Sequence, residues 1–134
     1  MKIDRLNPDG LVKMPIYTQA VRVTDASLIY AAGQVAWDEN GNVIGVGDLG
    51  IQTRQAAQNI TKILESVDAD WSNVIKMTLF VAQYNAERDR PVLIAAMQDF
   101  LDMDHLPANT LIGVQSLARE ELLIEIEVVI AVPA

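Results

Sequence analysis

The segment that constrains this chain most is its last one. From Leu122 to Val132 the residues alternate without a break. Ile124, Ile126, Val128 and Ile130 fall on one face, and Glu125, Glu127, Val129 and Ala131 fall on the other. A strand whose first face is wholly aliphatic has to bury that face under other elements. Its second face mixes two glutamates with valine and alanine. That face is too apolar to stand in water and too polar for a closed core. A subunit interface with clefts in it satisfies both demands.

What can cover the aliphatic face is written upstream. From Asp48, a helix cap, the residues Ala56, Ile60, Ile63, Leu64 and Val67 recur at helical spacing, with Arg54, Gln58, Lys62 and Glu65 opposite them. A second helix is predicted from Pro91 to Met103, with Leu93, Ala96, Met97, Phe100 and Leu101 as its stripe and Pro91 in its first turn. The other periodic segments are strands. They run over Lys2 to Leu6, closed by the turn cluster Asn7-Pro8-Asp9-Gly10, then Ala20 to Val23, Leu28 to Val35, Ile75 to Ala82 and Thr110 to Gln115. Thr24 to Ser27 joins the second and third strands, Asn40-Gly41 marks a tight hairpin, and Ile75, Met77, Leu79 and Val81 share a face. The order reads as an α+β fold, with two helices packed on one face of a single mixed or antiparallel sheet. With 134 residues, one domain over 1–134 is expected. Phe80, Ala82, Val129 and Ala131 form the face left for the interface.

Composition excludes several chemistries. There is no cysteine, so disulfide scaffolds and thiolate catalysis are out. The formal charge of −8, with ten scattered cations, argues against nucleic acid as a partner. No run of 18 apolar residues is present and the N-terminus has no signal-like core, so the expected place is the cytoplasm, away from membranes. The run Gly45-Val46-Gly47-Asp48-Leu49-Gly50 matches G-x-G-x-x-G, but Val43-Ile44 before it belongs to a hairpin, and Asp48 puts a carboxylate where a pyrophosphate should sit. Asp38 to Asn42 has its glycine two places early for a calcium loop. Asp102, Asp104 and His105 cluster, but a lone histidine makes a poor metal site. No cofactor and no metal are expected.

Two residue groups remain. Glu125 and Glu127 are either a solvated edge or carboxylates in a cleft, where desolvation raises the pKa and makes proton transfer useful near neutrality. Tyr17, which follows Met14-Pro15-Ile16, is either core or a phenol at a cleft mouth.

Taken together, YTQAVRV, LIYAAGQV, GDLGIQTRQAAQNITKIL, VIKMTLFV, LPANTLIGV and LIEIEVVIAV resemble, in this order, the Rid (reactive intermediate deaminase, YjgF) family. The resemblance covers nearly the whole chain. It implies a chorismate-mutase-like α+β fold and a homotrimer with three clefts between subunits. In the deaminase branch it further implies hydrolysis of 2-imino acids to 2-keto acids and ammonia. That branch clamps the substrate carboxylate with an arginine directly after Pro-Ala, and Asn109 stands there in this chain. The serine before Gly33-Gln34 is Ala32 here, and a cysteine two places after the arginine is Leu111. Tyr17 and Glu125, the first glutamate of EIE, match the family; Glu125 is the residue implied to orient or activate water. Tyr17, Ala32, Gly33, Asn109 and Leu111 are thereby the implied substrate contacts, with Glu125 catalytic.

Loss of the arginine has a magnitude. A guanidinium holds a carboxylate by two charge-assisted hydrogen bonds, and Asn109 brings no charge. A charged hydrogen bond contributes about 1.5–3 kcal/mol net, so imino-acid affinity through this position falls on the order of tenfold to a hundredfold. The leading expectation is therefore an inter-subunit cleft that binds or hydrolyses an imine, an enamine or another small metabolite not held by arginine. The alternatives are a 2-iminobutanoate/2-iminopropanoate deaminase with a substitute cation, such as Arg119 or Arg54, and a non-catalytic metabolite-binding trimer. A ribonuclease reading fares worst, because the charge opposes RNA and no histidine pair exists for acid–base cleavage.

Overall fold

The computed structural model describes residues 1–134. Seven strands and two helices follow in the order β1 (Lys2–Leu6), β2 (Ala20–Thr24), β3 (Ala26–Tyr30), β4 (Gln34–Val35), α1 (Leu49–Glu65), β5 (Val74–Ala82), α2 (Ala86–Met97), β6 (Ala108–Val114) and β7 (Ile124–Pro133). A single 3-10 turn, Trp71–Asn73, leads into β5. β1 and β2 form an antiparallel pair of their own. The other five strands make a mixed sheet ordered β3-β7-β5-β6, with β4 also on β7. The last two strands do not pair with each other. β5 lies between them, parallel to β6 and antiparallel to β7.

β7 lies inside the sheet between β3 and β5, with its aliphatic face covered by the helices. Ile124, Ile126, Val128 and Ile130 are all buried under the helices with Met77, Leu79 and Val81 of β5, Ala56, Ala57, Ile60 and Leu64 of α1, and Leu93 and Met97 of α2. Each large aliphatic side chain so buried contributes roughly 1.5–3 kcal/mol. Asp48 caps α1 by accepting from the Ile51 N–H at 3.0 Å. The glycine run before it makes turns: Gly45 has φ +79°, and a Cβ there would lie 2.5 Å from Ile51 Cγ2.

Four expectations are corrected. α2 starts five residues before Pro91, because Asn85 caps it by accepting from the Arg88 N–H, while the Asp89 carboxylate accepts from the Asn85 N–H. Pro91 therefore sits inside the helix on the solvent side, at the expense of one helical hydrogen bond. The helix ends at Met97, so Asp102, Asp104 and His105 occupy a turn beyond it. The strand read over Leu28 to Val35 is broken between Tyr30 and Gln34, while the hairpin beyond it turns at Asn40-Gly41 as expected, closed by the antiparallel bridge of Trp37 to Val43. A bulge between Val74 and Lys76 puts Val74 opposite Ile130 in the core, the place the alternation gave to Ile75.

The face of the sheet away from the helices carries Phe80 and Ile112 side by side, Tyr30 beside Val129, and Leu28 beside Ala131. Tyr30, Leu28 and Ile112 are exposed. No helix is long and apolar enough to cross a membrane.

Candidate functional site

Thr18 brings the first site residue into position. It is buried, its N–H donates to the Pro107 carbonyl at 3.0 Å and its hydroxyl to the Leu106 carbonyl at 2.8 Å. It thus bridges to Ala108 at the start of β6, and delivers Tyr17 to the strand that carries Asn109 and Leu111. On β6, Asn109 lies beside Met77 and Leu111 beside Leu79 of β5, so both share the helix-side face. The result is a cavity of about 250 Å³ between α2, β5, β6 and the Met14–Tyr17 segment, lined by 14 residues of which 11 are hydrophobic. Tyr17, Asn109 and Leu111 are among them, with Arg90, Met97 and Gln98 from and beyond α2. The Asn109 Oδ1 is buried and has no hydrogen-bond partner. An unpaired buried acceptor costs about 1–3 kcal/mol, so the cavity holds a standing demand for a donor.

Glu125 is elsewhere in the chain. It stands opposite Phe80 on β5, on the sheet face away from the helices. Gly33 lies directly against it: a Cβ at Gly33 would meet the Glu125 Cδ and Oε2 at 2.7 Å and Cγ at 2.8 Å. Only a residue without a side chain lets the carboxylate occupy that place. Ala32 is exposed next to this pair, and its carbonyl accepts from the Gln34 side chain at 3.1 Å. The chain therefore presents two groups. Tyr17, Asn109 and Leu111 line the cavity, and Ala32, Gly33 and Glu125 gather on the other side of the sheet. A single chain does not bring the two groups together. Glu127, opposite Thr78, is exposed on the Glu125 face.

Two residues that hold this geometry escaped the sequence reading. Gln52 and Asn59 lie two turns apart on the inner face of α1. The Gln52 side chain donates to the carbonyls of Gly45 and Glu121 and accepts from the Leu123 N–H at 2.8 Å. Asn59 donates to the carbonyls of Val35 and Trp37, each at 3.0 Å. α1 thereby grips the chain just before Glu125 and just after Gly33. The signal was two amides at i and i+7 on an otherwise apolar stripe, which only networked polar groups tolerate.

Of the substitute cations, Arg119 is engaged by the Gly41 carbonyl at 2.8 Å and by Glu121 at 3.6 Å, and Arg54 by Asp99. Neither lines the cavity. The His105 Nδ1 lies 2.8 Å from the Asp102 Oδ2, exposed and apart from both groups. That contact, with the Asp104 N–H, lowers the Asp102 pKa from the ordinary carboxylate value.

The family model described as endoribonuclease L-PSP matches residues 11–132. A 2-iminobutanoate/2-iminopropanoate deaminase of Dermatophagoides farinae is 28% identical over 134 residues, covering 98% of this chain and 99% of its own. A RutC family protein of Sulfurisphaera tokodaii is 32% identical over 113 residues, 84% of this chain and 85% of its own. Among solved structures, YyfB of Yersinia pestis, a member of the conserved Rid protein family, superposes with a TM-score of 0.89 at 30% identity, covering 98% of this chain and 100% of that one.

Proposed function

We propose, on the premise that this chain belongs to the endoribonuclease L-PSP family of Rid and YjgF proteins, that it is a small-molecule imine or enamine hydrolase working between copies of itself. The observation that carries the reading is the division of the residues marked by the resemblance into two groups, Tyr17, Asn109 and Leu111 on one side of the sheet and Ala32, Gly33 and Glu125 on the other. Joining the Asn109 wall of one copy to the Glu125 carboxylate of the next gives an acid–base group facing a small-molecule cavity. The helix-free face supplies the means of association, since Leu28, Tyr30 and Ile112 expose apolar surface there that a second copy would cover. A homotrimer with three equivalent clefts is the arrangement the resemblance implies.

In that setting Glu125 takes a proton from water as the water oxygen attacks the imine carbon. The proton passes to nitrogen, the C–N bond breaks, and R₂C=NH plus H₂O becomes R₂C=O plus NH₃. The carboxylate is returned unchanged. The deaminase name of the Dermatophagoides relative supports this reaction class. A ribonuclease reading lacks a second imidazole, and the one histidine is held by Asp102 away from the cavity.

The test is ammonia release from imines generated in situ by an amino-acid oxidase, with wild type and Glu125→Gln. The variant should remain assembled and lose turnover on the order of 10²-fold or more. Undiminished turnover in Glu125→Gln would overturn the role of the carboxylate. A stable species near 14.7 kDa by light scattering at micromolar concentration would overturn the shared site.

A further inference from the structure

The chain has five methionines, and every one after Met1 lines the cavity behind Asn109. Only 14 of the 134 residues line it, so scattered placement would not gather Met14, Met77, Met97 and Met103 there. The four divide by depth. Met77 on β5 and Met97 on α2 belong to the core, 1% and 4% exposed. Met103 is 45% exposed and Met14 is half-buried, so these two stand where the cavity meets solvent. The fold ties this outer pair to one place. Met103 sits in the turn after α2, which Asp102 closes. The Asp102 carbonyl accepts from the His105 N–H and its carboxylate from the Asp104 N–H, each at 3.0 Å, with the His105 ring against the other oxygen. That turn runs into Leu106 and Pro107, whose carbonyls accept from the hydroxyl and the N–H of Thr18, four residues after Met14. The cluster of Asp102, Asp104 and His105 thus serves to present a thioether.

With no cysteine, thioethers are the only sulfur this chain offers to an oxidant. We propose that Met14 and Met103 form a modification site: a hydroperoxide oxidises them to sulfoxides, and the cavity then loses affinity for apolar ligands. In that step the O–O bond breaks, one oxygen bonds to sulfur, and the other leaves as water. Sulfur gives up an electron pair and the peroxide takes it, so R₂S plus H₂O₂ becomes R₂S=O plus H₂O. A flexible apolar side chain becomes a polar one with a strong acceptor oxygen. Of the 14 lining residues 11 are hydrophobic, so an apolar ligand has to desolvate that oxygen at the mouth without giving it a donor. Met77 and Met97 are shielded by packing and stay reduced. The inference concerns the cavity alone and stands independently of the Glu125 chemistry.

The test uses the whole protein with indole as a neutral probe, since a cavity of about 150 Å³ already holds benzene and this one is about 250 Å³. Limited hydrogen peroxide should convert Met103 and Met14 well before Met97 and Met77, read by peptide mass spectrometry. Indole affinity by calorimetry should then fall on the order of tenfold, with circular dichroism unchanged. Methionine sulfoxide reductases acting on both epimers should restore it. The Met14→Leu/Met103→Leu protein should keep whatever affinity it starts with through the same treatment. A wild type that binds no indole, or binds it equally well with both methionines oxidised, overturns the proposal. So does a double variant that loses affinity on oxidation as the wild type does, because the effect then lies in other residues.

Discussion

Replacing Gly33 with alanine isolates the position of the Glu125 carboxylate from its presence. The backbone at Gly33 does not have a positive φ, so alanine is sterically admissible there apart from its neighbour. That neighbour is decisive: the new Cβ would lie 2.7 Å from the Glu125 Cδ and Oε2. To reach the 3.4 Å at which ordinary contact begins, the carboxylate has to retreat by about 0.7 Å or leave its rotamer. An off-rotamer side chain costs roughly 0.5–1.5 kcal/mol, and Gly→Ala at an admissible position stabilises by roughly 0.4–1 kcal/mol through the unfolded chain. The two nearly cancel, so melting temperature should move by no more than about 5 °C. Catalysis is far less forgiving, since a displacement near 1 Å at a reacting group costs on the order of 10²-fold. We therefore expect Gly33→Ala to lower turnover of in situ generated imines about tenfold to a hundredfold, with assembly and near-native stability retained. In a Glu125→Gln background the same change should add nothing further, because both act on one group. Unchanged turnover in the single variant, or additive losses in the double, would refute the reasoning.

Other expectations follow from the same geometry. Asn109→Leu removes the unpaired buried Oδ1, and should raise stability of the ligand-free protein by about 1–3 kcal/mol in urea titration while weakening ligand binding; destabilisation would show that the amide has a partner after all. Asp89 is buried, and the hydrogen bonds from the Arg88 side chain, followed by that from the Asn85 N–H, hold its pKa below the ordinary value. The stability it confers is present above the unfolded carboxylate pKa, near 4, and is lost as pH falls through the lowered folded value. Asp89→Asn should thus cost on the order of 1–3 kcal/mol at pH 7, with the gap to wild type closing below about pH 4; a constant gap in urea titrations at both pH values contradicts this. Tyr30→Glu, on the helix-free face, should leave the protomer folded by circular dichroism and shift light scattering toward one chain per particle, and an unaltered mass would place the interface elsewhere.

Amino-acid order alone determined the layers of this molecule, because side-chain period is a local property. The strict alternation from Ile124 to Ala131 demanded one buried aliphatic face, and the helical stripe through Ala56, Ile60 and Leu64 supplied its cover. The Asp48 cap was readable for the same reason, since an N-cap acts within one turn. The start of α2 was not, because proline at a first turn and proline inside a helix look alike until Asn85 and Asp89 are seen to close the cap. The bulge before Lys76 escaped too: it is a property of the pairing with Ile130 and leaves no mark in one strand's own sequence. At the site, the resemblance marked Tyr17, Asn109, Leu111, Ala32, Gly33 and Glu125 but carried no information on which of them share a face. That depends on register across β5, which sends Asn109 to the helix side with Met77 and Glu125 to the opposite side with Phe80. Charge and period are written along the chain, whereas pairing and vacancy are made only when distant segments meet.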